Sequence, residues 1–265
     1  MILRSMKLFL FIVFSLFCFA ISSQDFVNEW STEISKLQKE IPYKIFPNNH
    51  SGFSVVKRIS EVKNSISIDI LDSNNVPLYT NNIEVPEDEI MHIDMVNGRV
   101  TLFSTIHDND KKEDQLRAYT LNNKGELSKT ILLASLKSNG GYLATFKVAV
   151  SSDGKKVGIL CEKPYVKEKN EGLVIKILNK DLQPILTKDY SYTIASMKRR
   201  FNVPLINNKG SLYILKRARI KTKNKYFLTL IKESGVEEHH NVTLRSMRIA
   251  DVTGLFNKEG ELIVS

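Results

Sequence analysis

The run Phe146-Lys147-Val148-Ala149-Val150-Ser151-Ser152-Asp153-Gly154-Lys155 continues into Lys156-Val157-Gly158-Ile159-Leu160. It joins two apolar stretches through a polar turn that ends in glycine. Such a pattern encodes a hairpin of short strands, because Asn, Asp and Gly accept the positive φ a tight turn demands. The unit recurs along the chain. Gly98 precedes Arg99-Val100-Thr101-Leu102-Phe103, Gly210 precedes Ser211-Leu212-Tyr213-Ile214-Leu215, and Gly260 precedes Glu261-Leu262-Ile263-Val264. A weaker copy starts at Gly52, before Phe53-Ser54-Val55-Val56, so successive glycines lie 46, 56, 56 and 50 residues apart.

A second turn series falls between the first. Leu71-Asp72-Ser73-Asn74-Asn75, Leu121-Asn122-Asn123-Lys124-Gly125, Leu178-Asn179-Lys180-Asp181 and Ile231-Lys232-Glu233-Ser234-Gly235 each end an apolar run, at spacings of 50, 57 and 53. Two interleaved series with one period imply four short strands per unit. In the second unit these are expected near 90–96, 99–106, 115–122 and 127–133. The third unit gives 145–151, 156–161, 172–178 and 184–188, and the fourth gives 201–206, 211–217, 225–231 and 241–245. Val, Ile, Phe, Tyr and Thr fill them, as strand packing favours. A β-sandwich also has short strands and regular turns, but it does not require every fourth strand to resemble the last. The expected fold is therefore an all-β propeller of four-stranded antiparallel blades, preceded by a short N-terminal helix.

The stretch Phe146 to Lys155 resembles the F-x-x-S-x-D-G-K strand-turn of the β-propeller repeat superfamily, in its WD40-like and TolB-like bacterial secreted members. The Gly-His and Trp-Asp pair of WD40 repeats is absent, as is the sialidase S-x-D-x-G-x-T-W box. The resemblance implies an architecture and no particular activity. Blades are expected at about 42–85, 86–135, 142–190 and 198–246, with a partial fifth at 249–265. That count is about four blades plus part of another, an incomplete ring, and so a fragment of a longer propeller or one completed by another chain.

Residues 1–23 read as an export signal: Arg4 and Lys7, an apolar run from Leu8 to Ala20, then Ser22 and Ser23. The run is short for a membrane span, which needs about twenty residues. Signal cleavage makes the protein secreted or periplasmic with no membrane span, and lowers the net charge from +9 to +7. It also leaves Cys161 as the single thiol, expected to be buried and inert. In residues 24–41, Phe26, Trp30, Ile34, Leu37 and Ile41 recur at helical spacing, with Asp25 to cap the start and Pro42 to stop the helix.

In a four-stranded meander, the first-to-second and third-to-fourth turns share one face of the disc. The second-to-third loops and the blade connections share the other. On that second face the sequence places Lys198, Arg199 and Arg200 entering the fourth blade. Arg217, Arg219, Lys221, Lys223 and Lys225 follow in its second-to-third loop, and Arg245 and Arg248 in the next connection. This basic sector is the candidate binding site, suited to an anionic polysaccharide, lipopolysaccharide or acidic protein. The competing reading is a solvated basic loop with Arg217 and Arg219 alternating outward on a strand. Nucleic acid is excluded by the export signal and by sparse aromatic interleaving.

Other motifs point less far. His239-His240 is a poor metal pair because adjacent strand residues face opposite ways. The loop His107-Asp108-Asn109-Asp110-Lys111-Lys112-Glu113-Asp114 lacks the glycine and terminal Glu of a calcium loop. Asn49-His50-Ser51 and Asn241-Val242-Thr243 fit a glycosylation acceptor. No cofactor motif, phosphate loop, G-x-S-x-G elbow or H-E-x-x-H is present, and no catalytic or metal residues are assigned. The functional expectation is an exported binding or scaffold module. The alternative is a propeller glycoside hydrolase or lyase whose axial carboxylates lie partly in missing blades.

Overall fold

The computed structural model describes residues 40–48, 51–59, 64–85, 88–139, 141–167, 169–195, 201–220, 223–242, 254–256 and 262–264. The export signal and the helical stripe through Leu37 lie outside the described residues. Ile41, the last position of that stripe, is already in strand and pairs with Arg58.

Four meanders follow one another, each a four-stranded antiparallel sheet in simple sequential order. Blade 1 comprises β1 (Glu40–Pro47), β2 (Phe53–Ile59), β3 (Ser65–Leu71) and β4 (Pro77–Glu84). Blade 2 comprises β5 (Glu89–Val96), β6 (Arg99–Asp108), β7 (Glu113–Leu121) and β8 (Leu127–Lys137). Blade 3 comprises β9 (Thr145–Val150), β10 (Val157–Glu162), β11 (Asn170–Leu178) and β12 (Pro184–Ala195). Blade 4 comprises β13 (Phe201–Ile206), β14 (Leu212–Ile220), β15 (Lys223–Ile231) and β16 (Glu237–Val242). A two-stranded sheet, β17 (Gly254–Phe256) with β18 (Leu262–Val264), comes after them.

The core shows why these sheets are propeller blades and not the halves of a sandwich. Apolar side chains are buried between consecutive blades, one layer per junction. Phe46, Val56, Ile66 and Ile68 of blade 1 meet Ile93, Leu102 and Leu121 of blade 2. Phe103, Leu116 and Ala118, on the other side of blade 2, meet Phe146, Val157 and Ile159 of blade 3. Leu160, Leu173 and Ile175 then meet Ile206, Leu212 and Ile214 of blade 4. Strand alternation produces this: Leu102 faces back while Phe103 faces forward, and Ile159 and Leu160 repeat the pair. Each middle blade is thus apolar on both faces, which accounts for the unbroken burial of β10. The first strands of blades 3 and 4, β9 and β13, lie side by side at the inner edge of the disc. Beyond blade 4, the Phe256 ring sits 5.5 Å from that of Tyr213, on the side facing away from blade 3.

The turn chemistry expected from sequence is present. Val96-Asn97-Gly98-Arg99 closes β5 and β6 with φ of 50° at Asn97 and 69° at Gly98, the double positive φ of a two-residue hairpin. The third-to-fourth turns share one bonding scheme. Asp72, Asn122, Asn179 and Lys232 each accept the N–H three residues on, and each donates to the carbonyl four residues on. Asp72, Asn122 and Asn179 also cap the turn with a side-chain oxygen on two further N–H groups. The fourth turn residue takes positive φ in every blade: Asn75, Gly125, Leu182 and Gly235. Leucine pays a steric cost of about 1–2 kcal/mol there. Leu182 offsets it by burial in the layer between blades 2 and 3.

Strand extents differ from expectation in one informative way. β16 (Glu237–Val242) begins before the expected 241–245, whose positions 243–245 lie outside the described residues. Its Glu-Glu-His-His start is polar because it is the outer strand of its blade, so neither face supplies the apolar alternation that marks a strand.

Candidate binding face

The face that carries the second-to-third loops and blade connections is built largely from projecting hairpins. β6 and β7 run on to Asp108 and Glu113, and β14 and β15 run on to Ile220 and Lys223. Long charged loops were expected here. In blade 4 the expected loop from Arg217 to Lys225 is instead a ladder, with Arg217 opposite Tyr226, Ala218 opposite Lys225, and Arg219 opposite Asn224. In blade 3 the second-to-third loop does span residues 163–169.

On this face, carboxylates at each blade junction turn inward and bind their own fold. Between blades 1 and 2, buried Asp88 accepts the Ser104 hydroxyl and the Tyr119 hydroxyl, each at 2.7 Å, with Arg117 at 3.4 Å. Burial, reinforced by the Asp88 carboxylate, pushes the Tyr119 phenol above its usual range. Between blades 2 and 3, Asp114 takes the Ala144 N–H and His107 Nδ1, both at 2.7 Å. Between blades 3 and 4 lies a denser network. Glu171 accepts Lys216 Nζ at 2.8 Å on both carboxylate oxygens, and both side chains are buried. The Asn202 amide donates to Glu162 at 2.7 Å and to Glu171 at 3.0 Å. Half-buried Lys147 closes the group by donating to the Asn202 carbonyl at 2.6 Å. The Lys216 ammonium also lies 4.6 Å from the centre of the Tyr192 ring.

Nearer the inner edge, Lys44 of β1 reaches Asp94 of β5 at 2.8 Å. Burial alone would raise the Asp94 pKa, but His92, Lys44 and the Met95 N–H all bond the ionised form and bring it down to about 2. Among the described residues no group of three or more His, Cys, Asp or Glu is placed to hold a metal. The loop 107–114 shows why. Asp108 is occupied by the Lys111 N–H and ammonium, whereas Asp114 points into the blade junction. His239 and His240 are likewise separated by alternation, opposite Thr229 and Leu228. Cys161 is buried within β10, and burial pushes its thiol up to about 12, which leaves it unreactive.

Of the basic sector, Lys198, Arg199, Arg200, Lys221, Arg245 and Arg248 lie outside the described residues. Arg219 and Lys223 take their places as ladder positions on β14 and β15. Arg217 is exposed, with its guanidinium stacked 4.8 Å from the centre of the Phe201 ring. Lys225 is exposed on β15. Sequence reasoning missed Lys216, the one lysine among the largest fully buried side chains. A signal was there: like Ser104 and Cys161, both buried, Lys216 stands four residues after the first apolar residue of its blade's second strand (Val100, Val157 and Leu212 respectively).

No family model matches the chain, and no curated protein is significantly similar to it. Solved structures of similar shape include a β-propeller domain and a WD40 domain. The β-propeller domain of the trilobed protease from Pyrococcus furiosus gives a TM-score of 0.45 at 12% identity, over 82% of this chain and 60% of that one. The endo-arabinase from Bacteroides thetaiotaomicron gives 0.41 at 12% identity, over 87% and 89%. The WD40 domain of SCAP from fission yeast gives 0.32 at 12%, over 82% and 64%. The chain thus spans about 60% of the length of the archaeal domain.

Proposed function

We propose that this propeller is an exported binding or scaffold module that recognises an anionic partner through the face bearing its blade connections. The observation that carries this reading is a division of charge. Asp88, Asp114, Glu162 and Glu171 are drawn into the blade junctions, while Arg217 and Lys225 stay at the surface of the blade 4 hairpin. Exposed cations on that hairpin would steer anions toward it. The Arg217 guanidinium lies 4.8 Å from the centre of the Phe201 ring, and a guanidinium on such a surface suits a carboxylate, sulfate or phosphate.

Chromatography on a heparin-like resin at low salt tests this. Replacing Lys198, Arg199, Arg200 and Arg217 with Ala should move elution to clearly lower salt while the melting temperature holds. Unchanged elution would remove the proposal.

A further inference from the structure

We infer that the back face of blade 1 docks a second copy of this chain, whose far end stands against it as each blade stands against the next. The inference concerns assembly and does not depend on the charge of the blade 4 hairpin.

Register identifies the surface. At each described junction the back of one blade packs on the front of the blade before it. One position of the second strand carries Leu102, Ile159 and Ile214 on the backs of blades 2, 3 and 4, and all three are fully buried. Val55 is its equivalent in blade 1, since Val56 beside it faces forward with Ile66 and Ile68. Two residues nearer the turn, blades 2, 3 and 4 bury Val100, Val157 and Leu212, where blade 1 has Phe53. On the first strand, Ile93 pairs with Leu102 in blade 2 as Ile45 pairs with Val55 in blade 1. Ile93 is fully buried, yet Ile45 is 51% exposed and Phe53 47%. Among the described residues, blade 1 alone of the four keeps these apolar positions open to water. An aromatic and a branched aliphatic side chain held there have the pattern of a blade junction whose other half is elsewhere.

The rest of this face is ready to be covered. Lys57 pairs with Asp69 at 2.6 Å, and the Thr80 hydroxyl donates to the same carboxylate at 2.9 Å. A neighbour packed on this side therefore strands no isolated charge. What fits is the front of a blade of the same kind, because each described back in this fold accepts one. At the far end of the row the repeat continues forward. Phe256 of β17 sits beside Tyr213 on the side of blade 4 that faces away from blade 3. That end of a second copy presents a front, and the contact is heterologous, front to back.

Light scattering on the size-fractionated chain, from about 1 to 100 µM, tests this. The wild type should pass from one chain toward two as concentration rises. Phe53→Glu and Ile45→Glu each place a charge in the contact, and each should weaken association about thirtyfold or more. Leu132→Glu, at an exposed position on β8, should associate as the wild type does. Circular dichroism shows whether each variant is folded, and Phe53→Ser replaces Phe53→Glu if the latter is not. A single chain at every concentration overturns the inference and leaves the face to a blade of another sequence. Association unchanged in both Ile45→Glu and the Phe53 variant overturns it as well. Phe53→Cys tests the orientation, since Cys161 is buried and does not compete. Front-to-back docking keeps the two introduced thiols apart, so oxidation should link no dimer. A disulfide-linked dimer would mean back against back and would overturn the front-to-back contact.

Discussion

Asp114 and Glu171 occupy the same place in consecutive blades. Each lies seven residues before the turn leucine of its third strand, Leu121 or Leu178, and each is buried on the side that meets the next blade. Asp114 binds the Ala144 N–H that leads into β9, and Glu171 binds Lys216 of β14. One register position thus couples each blade to its successor, by a backbone donor in one case and a buried ammonium in the other.

The second coupling sets the first expectation. Removing one member of a buried pair strands the other charge, at roughly 3–5 kcal/mol. Lys216→Met alone and Glu171→Leu alone should each lower stability by about that much in urea unfolding. The double variant should recover most of the loss, since an apolar pair replaces the ions without desolvating either. Additive losses would show that the two residues act independently.

Asp88 is the hub of the first junction, with two hydroxyls and a guanidinium converging on a buried carboxylate. Asp88→Ala leaves those donors without their acceptor and should cost about 2–3 kcal/mol. Asp88→Asn keeps part of the bonding and should fall between. Thermal unfolding checks the order, and an alanine variant as stable as wild type would contradict it.

Asp94 governs part of the acid response. Its folded pKa of about 2 lies below the ordinary 3.8, so it stabilises the fold above pH 3.8, and that stability is lost as pH falls toward 2. With the group partly exposed, screening leaves about 1 kcal/mol. Asp94→Asn should therefore be less stable than wild type at neutral pH, and the gap should close between pH 3.8 and 2. A gap constant across that range would assign the effect to something other than ionisation.

Two turn glycines should respond differently to alanine. At Gly98, φ is 69° and a methyl group would meet nothing within 4 Å, so Gly98→Ala should cost about 1 kcal/mol from the backbone alone. At Gly154, φ is 66° and the methyl would fall 2.8 Å from the Met95 carbonyl oxygen of the preceding blade. Gly154→Ala should cost roughly twice as much or more, because the blades must shift apart as well. Equal losses in denaturant titration would refute the contact.

The architecture was legible because turns carry it. Asn97-Gly98 and Asp153-Gly154 announce hairpins locally, and their period needs no knowledge of tertiary contacts. The polar junctions were not legible in the same way. Lys216 and Glu171 are 45 residues apart in sequence, and alternation alone cannot tell a buried lysine from a solvent-facing one. Arg217, one position on, is exposed, the outward strand position that the competing reading gave it.

Packing between consecutive blades also shapes how the molecule comes apart. Among the described residues each buried apolar layer is shared by two adjoining sheets, so cooperativity passes from sheet to sheet like links in a chain. The amides of β6 and β10, held between layers on both sides, should be the last to exchange with deuterium. Those of β4 and β16, on the outer rim, should report local opening long before global unfolding.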